Sequence, residues 1–336
     1  GSVEWVGERG LAHPGNDTAG AMRVYRWDLD KTYLQTDFES LRGLLRSATE
    51  PAHRKKAVPG AAALMRGLGA DPRNRITILS GSPTQMRDVL REKLDMDGVR
   101  FDQLVLKNSL RHFRRGEFRA IKGQFGYKLP ALLQQRAGLG PATTETLFGD
   151  DAEVDALVYA VYADAVAGRL RPAEVSRIME AAGSYPDHIG AALDALSRLS
   201  RAEAVHRIFI RLERPRAPVT FEALGQRVVP VHGWWQAALV LLSDGHITGR
   251  AAGAVLDELR TAGADGFEIA SLTQDIVRRG FVGVDVVGRV LGDESALGAA
   301  RAAVERLSEL SVPPPLAPPV QAPDYISLVR GWDRNG

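Results

Sequence analysis

Four short apolar runs, each closed by polar residues and separated by helix-length segments, set the strongest limit on what this chain can fold into. The first is Arg23 to Trp27 (RVYRW), followed by DLDKT. The second, Ile76 to Leu79, stops at Ser80-Gly81-Ser82-Pro83. The third is Gln103 to Leu106, and the fourth, Thr144 to Phe148, ends in Gly149-Asp150-Asp151. Between them the pattern predicts a helix from about Thr84 to Leu94, with Ser82 as its cap and Pro83 in its first turn. Another is predicted near Leu129 to Arg136, with Pro130 in its first turn, and a third over Ala156 to Ala167. Strands alternating with helices predict an α/β fold, a Rossmannoid parallel sheet with helices on both faces.

After about Arg171 the pattern changes. Segments rich in Ala, Leu and Arg read as helices over Ala173–Ala182, Ile189–Leu199, Ala202–Leu212, Trp234–Leu242, Gly249–Leu259 and Phe267–Arg279. No second set of strands and no fixed repeat is visible. The expected organisation is a loop segment at 1–20, the α/β domain at 21–171, an all-α accessory domain at 172–312 (or a helical layer packed on the first domain), and a Pro-rich tail at 313–336.

Composition narrows the chemistry. Cysteine is absent, which excludes a disulfide framework, a thiolate nucleophile and a Cys-based zinc site. A net charge of +2 is too small to imply a nucleic-acid or membrane partner. No run of ~20 apolar residues suggests a membrane span. The opening GSVEWVGERG lacks a basic-then-apolar signal pattern, and the expectation is a cytoplasmic protein.

In a parallel α/β sheet, ligands bind at the carboxyl ends of the strands. Three of the four runs end in reactive side chains: Asp28 and Asp30, then Ser80, then Asp150 and Asp151. One residue separates Asp28 from Asp30, so in an extended segment both carboxylates project the same way. Two adjacent carboxylates repel, and a hard divalent cation such as Mg2+ answers that repulsion. Asp150 would complete the carboxylate set. A carboxylate held near Mg2+ can attack phosphorus, and Asp30 can then serve as acid and base. Ser80, the Gly81 amide and the helix after them form a candidate phosphate cradle. Lys128 supplies a positive charge, with Lys122 as its rival.

These same residues carry a family resemblance. WDLDKT at 27–32 is similar to the first motif of the haloacid dehalogenase superfamily, and ILSGSP at 78–83 to its second. Lys128 in YKLPALL resembles the third-motif lysine, and FGDDAEVD at 148–155 the fourth, acidic motif. Within the superfamily the combination resembles most the phosphatidate phosphatase domain of actin-patch proteins and its bacterial relatives, over residues 22–170. The resemblance implies a Mg2+-dependent phosphatase. Asp28 would be nucleophile and metal ligand. Asp30 would be the acid–base and would lend its backbone carbonyl to the metal. Thr32, Ser80 and Lys128 would handle phosphate or orient the nucleophile. Asp150 would bind the metal, with Asp151 or Asp155 behind it. One position departs: the lipid-phosphatase branch shows D-x-D-D-T, and Lys31 replaces the third acid.

The remaining features have plainer readings. Arg111 to Arg119 (RHFRRGEFR) is a solvated loop, or a clamp for an anionic substrate such as nucleic acid. Arg54-Lys55-Lys56 reads as a solvated face, Trp234 and Trp235 as helical core, and His206, His232 and His246 as ordinary histidines. The Pro-rich 313–319 reads as a linker or a surface-wrapping segment. Two rivals stand beside a phosphatase of phosphorylated substrates: a retired phosphatase serving as a scaffold, and a phosphatase acting on nucleic-acid ends.

Overall fold

The computed structural model describes residues 21–35, 51–107, 121–152, 154–214, 216–291 and 321–332. Its centre is a parallel sheet with, among the described residues, six strands in the order β3-β2-β1-β4-β5-β6. They are β1 (Arg23–Trp27), β2 (Asn74–Pro83), β3 (Gln103–Lys107), β4 (Thr144–Asp150), β5 (Val205–Arg211) and β6 (Val228–Val231). Each pairing is parallel. The strand order reverses between β1 and β4, and such a switch point opens a crevice at the carboxyl ends of the strands.

Helices cover both faces. On one lie α1 (Ala61–Leu68), α2 (Arg87–Met96), α7 (Trp234–Ser243), α8 (Gly249–Thr261), α9 (Gly266–Arg278) and α10 (Val284–Leu291). On the other lie α3 (Ile121–Ala137), α4 (Asp155–Ala167), α5 (Pro172–Ala181), α6 (Pro186–Ser197) and α11 (Tyr325–Gly331). The strands serve the two faces by alternation. Phe148 and Phe209 point into one core, while Leu147, Ile208 and Ile210 point into the other. Trp27 stacks on Phe148 with ring centroids 4.0 Å apart, and Trp234 approaches Trp27 at 5.1 Å. Such aromatic pairs add about 0.5–1.5 kcal/mol each beyond their burial. A buried ion pair sits inside the sheet: Arg26 of β1 pairs with Glu145 of β4 at 2.5 Å.

The α/β sheet with helices on both faces is as expected, and β1 has the expected bounds. The helix expected over Ala202–Leu212 is instead strand β5. Its residues VHRIFIR alternate between faces, but His206, Arg207 and Arg211 break up the apolar run and imitate a helical spacing. With β6 it extends the sheet rather than starting a second one. Pro230 is tolerated in β6 because that strand lies at the edge of the sheet. Helix α3 also starts earlier than expected, at Ile121, so Pro130 and Lys128 lie in its interior. Ser82 makes no cap; a single 3-10 turn, Thr84–Met86, separates β2 from α2. Trp234 and Trp235 are core, as expected. The stretch Arg111 to Arg119 and the Pro-rich 313–319 lie outside the described residues, as does the side chain of Lys122. Among the described residues no helix is long and apolar enough to cross a membrane.

Candidate active site

The site forms where β1 and β4 end side by side. The Asp28 amide still donates to the Phe148 carbonyl at 2.9 Å, so the ladder delivers Asp28 to the same level as Gly149-Asp150. Asp155, the first residue of α4, turns back over the end of β4. Its Oδ2 accepts from the Asp150 amide at 3.4 Å, and its charge suits a helix N-terminus. Gly149 makes this approach possible: a Cβ there would sit 2.7 Å from Asp155 Cβ.

Asp28, Asp150 and Asp155 each offer a carboxylate oxygen, and these oxygens lie within 4.8 Å of one another. All three residues are buried. The group can hold a metal ion, and an all-oxygen donor set favours a hard cation over a soft one. Lys128, fully buried in mid-α3, reaches the same place. Its Nζ lies 3.0 Å from Asp28 Oδ1 and also pairs with Asp155. A buried ammonium needs such partners, because an unpaired charge inside a protein is costly.

The flanking residues order these acids. Thr32 Oγ1 donates to Asp150 Oδ2 at 3.3 Å, and the Ala152 amide to Asp150 Oδ1 at 2.7 Å. Asp30 stands outside that group and bonds to β2. Its Oδ2 accepts from Ser80 Oγ at 3.3 Å and Ser82 Oγ at 3.0 Å. Ser80 Oγ in turn accepts from the Ser82 amide at 2.9 Å. Gly81 is buried between them in β2. Tyr127 donates from its hydroxyl to the Ser80 carbonyl at 2.9 Å, tying α3 to the end of β2. Burial, followed by the charge of Asp155, pushes the phenol of Tyr159 well above its ordinary range.

The geometry thus joins Asp28, Asp150, Asp155 and Lys128 directly, with Thr32 on Asp150. Asp30 and Ser80 meet each other beside them. The carboxylate of Asp30 is not in the acidic group and that of Asp155 is; the resemblance gives the metal the Asp30 backbone carbonyl rather than its side chain. Asp151 turns outward from the group: its Oδ1 accepts from the Arg214 amide at 3.1 Å and the Glu213 amide at 2.5 Å. Burial pushes its carboxyl above the ordinary range, while the Arg214 amide pulls it down.

Four neighbours of the site escape a reading of the sequence alone. Ser82 has the pattern of a helix cap, although a hydroxyl two residues beyond Ser80 on one strand shares its face. Tyr127 stands beside Lys128 but carries no motif. Arg211 and Trp234 lie far along the chain; nothing local links them to Asp28. Arg211 Nη1 donates to the Lys31 carbonyl at 2.8 Å, and Trp234 Nε1 to the Thr32 carbonyl at 3.0 Å. Burial lowers the affinity of Arg211 for its proton, and Asp150 and Asp151 oppose that shift.

A parallel α/β fold with buried acids and a buried lysine at its switch point is consistent with a haloacid dehalogenase-like phosphatase. Residues 27–175 match the family model described as "Phosphatidate phosphatase APP1, catalytic domain", so this part of the chain is similar to that type and supports a phosphohydrolase of phosphatidate phosphatase kind. No curated protein and no solved structure matches the chain significantly.

Proposed function

We propose that the chain hydrolyses a phosphomonoester with Mg2+, through an aspartyl-phosphate on Asp28. The observation that supports this most is the meeting of three buried carboxylates from β1, β4 and α4 with the Lys128 ammonium 3.0 Å from Asp28. Asp28, Asp150 and Asp155 would hold the Mg2+, with the Asp30 carbonyl as the resemblance implies. Bound there, the ion would neutralise charge on the phosphoryl group and let an anionic nucleophile approach.

The chain's own residues do the rest. Lys128 fixes the Asp28 carboxylate and offsets charge where phosphate oxygens arrive. Ser80 and the Gly81 amide bind those oxygens. Asp28 forms a bond to phosphorus as the bond to the leaving oxygen breaks, and Asp30 gives that oxygen a proton. Water then attacks the aspartyl-phosphate, Asp30 takes its proton, and inorganic phosphate leaves with Asp28 restored. Ser80 and Ser82 hold the Asp30 carboxyl in place beside the acids. Phosphatidate is the first substrate to test, since the matched family is named for it, although Lys31 departs from the lipid branch.

The test uses an aryl phosphate and phosphatidate in detergent micelles, with Mg2+ or with chelator. The expected result is turnover that chelator abolishes and Asp28→Asn lowers about 10³-fold or more. Hydroxylamine should trap an acyl-phosphate on Asp28 in the wild type. Full activity in Asp28→Asn, or in chelator, would remove this reading.

A further inference from the structure

The family match ends at residue 175, before β5 begins, yet two donors from beyond it grip the segment that carries Asp28 and Asp30. Arg211 closes β5, opposite Asp150 in the parallel register. Its Nη1 donates to the Lys31 carbonyl at 2.8 Å, and it also pairs with Glu213. Trp234 opens α7, and its Nε1 donates to the Thr32 carbonyl at 3.0 Å.

The two carbonyls are consecutive, and the first belongs to an unusual residue. Among the described residues Lys31 is the one non-glycine with positive φ, at 60°. An L side chain adopts that region only where its surroundings impose it. The turn it makes lets the Tyr33 and Leu34 amides both donate to the Leu29 carbonyl at 2.9 Å. The same turn places Asp30 toward Ser80 and Thr32 toward Asp150. A segment with a left-handed lysine at its centre needs holding from outside itself, and the donors come from β5 and α7.

We propose that Arg211 and Trp234 are positioning residues for the reaction. From outside the matched segment they clamp the 31–32 carbonyls and so set the aim of Asp28, Asp30 and Thr32. The proposal rests on the phosphohydrolase reading for its catalytic consequence, but the clamp has a readout of its own. Arg211 suits the role because its guanidinium is a fixed, always-charged donor. Asp151 reinforces it, since its carboxylate holds the amides of Glu213 and Arg214, just past the end of β5.

The test takes the full chain with Arg211→Met, Arg211→Lys and Trp234→Phe. The last keeps an aromatic ring in the core and removes the indole donor. Hydrogen exchange is followed at the Tyr33 and Leu34 amides, with β3 as an internal reference, alongside kcat and KM. Arg211→Met should speed exchange at these two amides about tenfold with β3 unchanged, because only a local opening is made easier. It should lower kcat about 10- to 100-fold, with KM within about twofold, since misaimed groups lose transition-state alignment rather than binding. Arg211→Lys should recover part of both effects. Trp234→Phe should resemble Arg211→Met in direction, and it carries the test if Arg211→Met does not fold. Unchanged exchange at Tyr33 and Leu34 in both Arg211→Met and Trp234→Phe overturns the clamp. So does faster exchange with kcat intact. If the wild type turns over no phosphoester, the functional reading falls, and the exchange rates alone decide the clamp.

Discussion

The imidazole of His246 lies 3.1 Å from the Tyr25 hydroxyl and stacks on His206 with ring centroids 5.0 Å apart. Burial, then the positive charges of His206 and Arg23, lower its pKa from 6.5 to about 4; Asp244 pulls the other way and loses. Asp244 is itself committed: burial raises its pKa, but hydrogen bonds from His206 and Arg207 hold it below the usual carboxylate range. In the unfolded chain His246 protonates near pH 6.5, and in the fold only near pH 4. Between those values the unfolded state binds the extra proton. The stability contribution is therefore complete above pH 6.5 and is lost as pH falls toward 4. Allowing for solvent screening at a partly exposed ring, it amounts to about 1–2 kcal/mol. Urea unfolding at pH 7 and pH 4 should show a larger stability loss in the wild type than in His246→Gln, which cannot titrate; parallel profiles would refute the assignment. In the sequence this histidine looks ordinary, because its partners come from β1, β5 and the end of α7. The candidate site is more legible. Asp28 follows the last residue of β1, Asp150 ends β4 and Ser80 lies near the end of β2, and a parallel sheet gathers strand ends. Asp30 and Asp155 show the limit: period-two spacing points Asp30 at the acids, whereas the left-handed Lys31 turn sends it to Ser80 and Ser82.

Among the elements, the junction of β4 with α4 is closely packed at the site. Gly149 has no side chain, and into that space Asp155 folds back from the first turn of α4. A Cβ at 149 would stand 2.7 Å from Asp155 Cβ and 2.9 Å from its Cγ. These atoms sit close to the helix backbone, so α4 itself must shift. Overpacking of this kind costs about 1–3 kcal/mol. Gly149→Ala should lower the urea midpoint accordingly. It should also weaken Mn2+ binding, measured by calorimetry, because Asp155 is one of the three acids. Unaltered stability and Mn2+ affinity would show that the junction has slack. Legibility at this scale tracks amphipathicity. Strand β1 is visible because its apolar run is bounded by charge. Helix α3 is only half visible because it is buried almost all round and Gln124, Lys128, Gln135 and Arg136 are among its buried residues, so no clean apolar stripe marks its start. Strand β5 passes for a helix because Arg207 and Arg211 serve ion pairs and a carbonyl rather than solvent.

For the molecule as a whole, the question is whether the matched segment can stand without the residues beyond 175. β4 pairs with β1 on one side and with β5 on the other. Cutting the chain at 175 leaves β4 as an open edge, a template for pairing with other chains. It also strips α7 to α10 from one face of the sheet. Phe148 stacks on Phe209 with centroids 5.2 Å apart and meets Trp234 at 5.9 Å, and both partners would be gone. Burying a large apolar side chain is worth about 1.5–3 kcal/mol. Losing Phe209, Val229, Val231 and most of α7 from this core removes several such terms. That sum rivals the entire net stability of a domain, about 5–15 kcal/mol. A fragment covering 21–175 should therefore melt without a cooperative transition, bind a hydrophobic dye and self-associate in gel filtration. The full chain should unfold with cooperative loss of β-sheet and helix signals. A monomeric fragment with a sharp thermal transition would mean that β1 to β4 close their own core, and that β5, β6 and α7 are an addition to it rather than its missing wall.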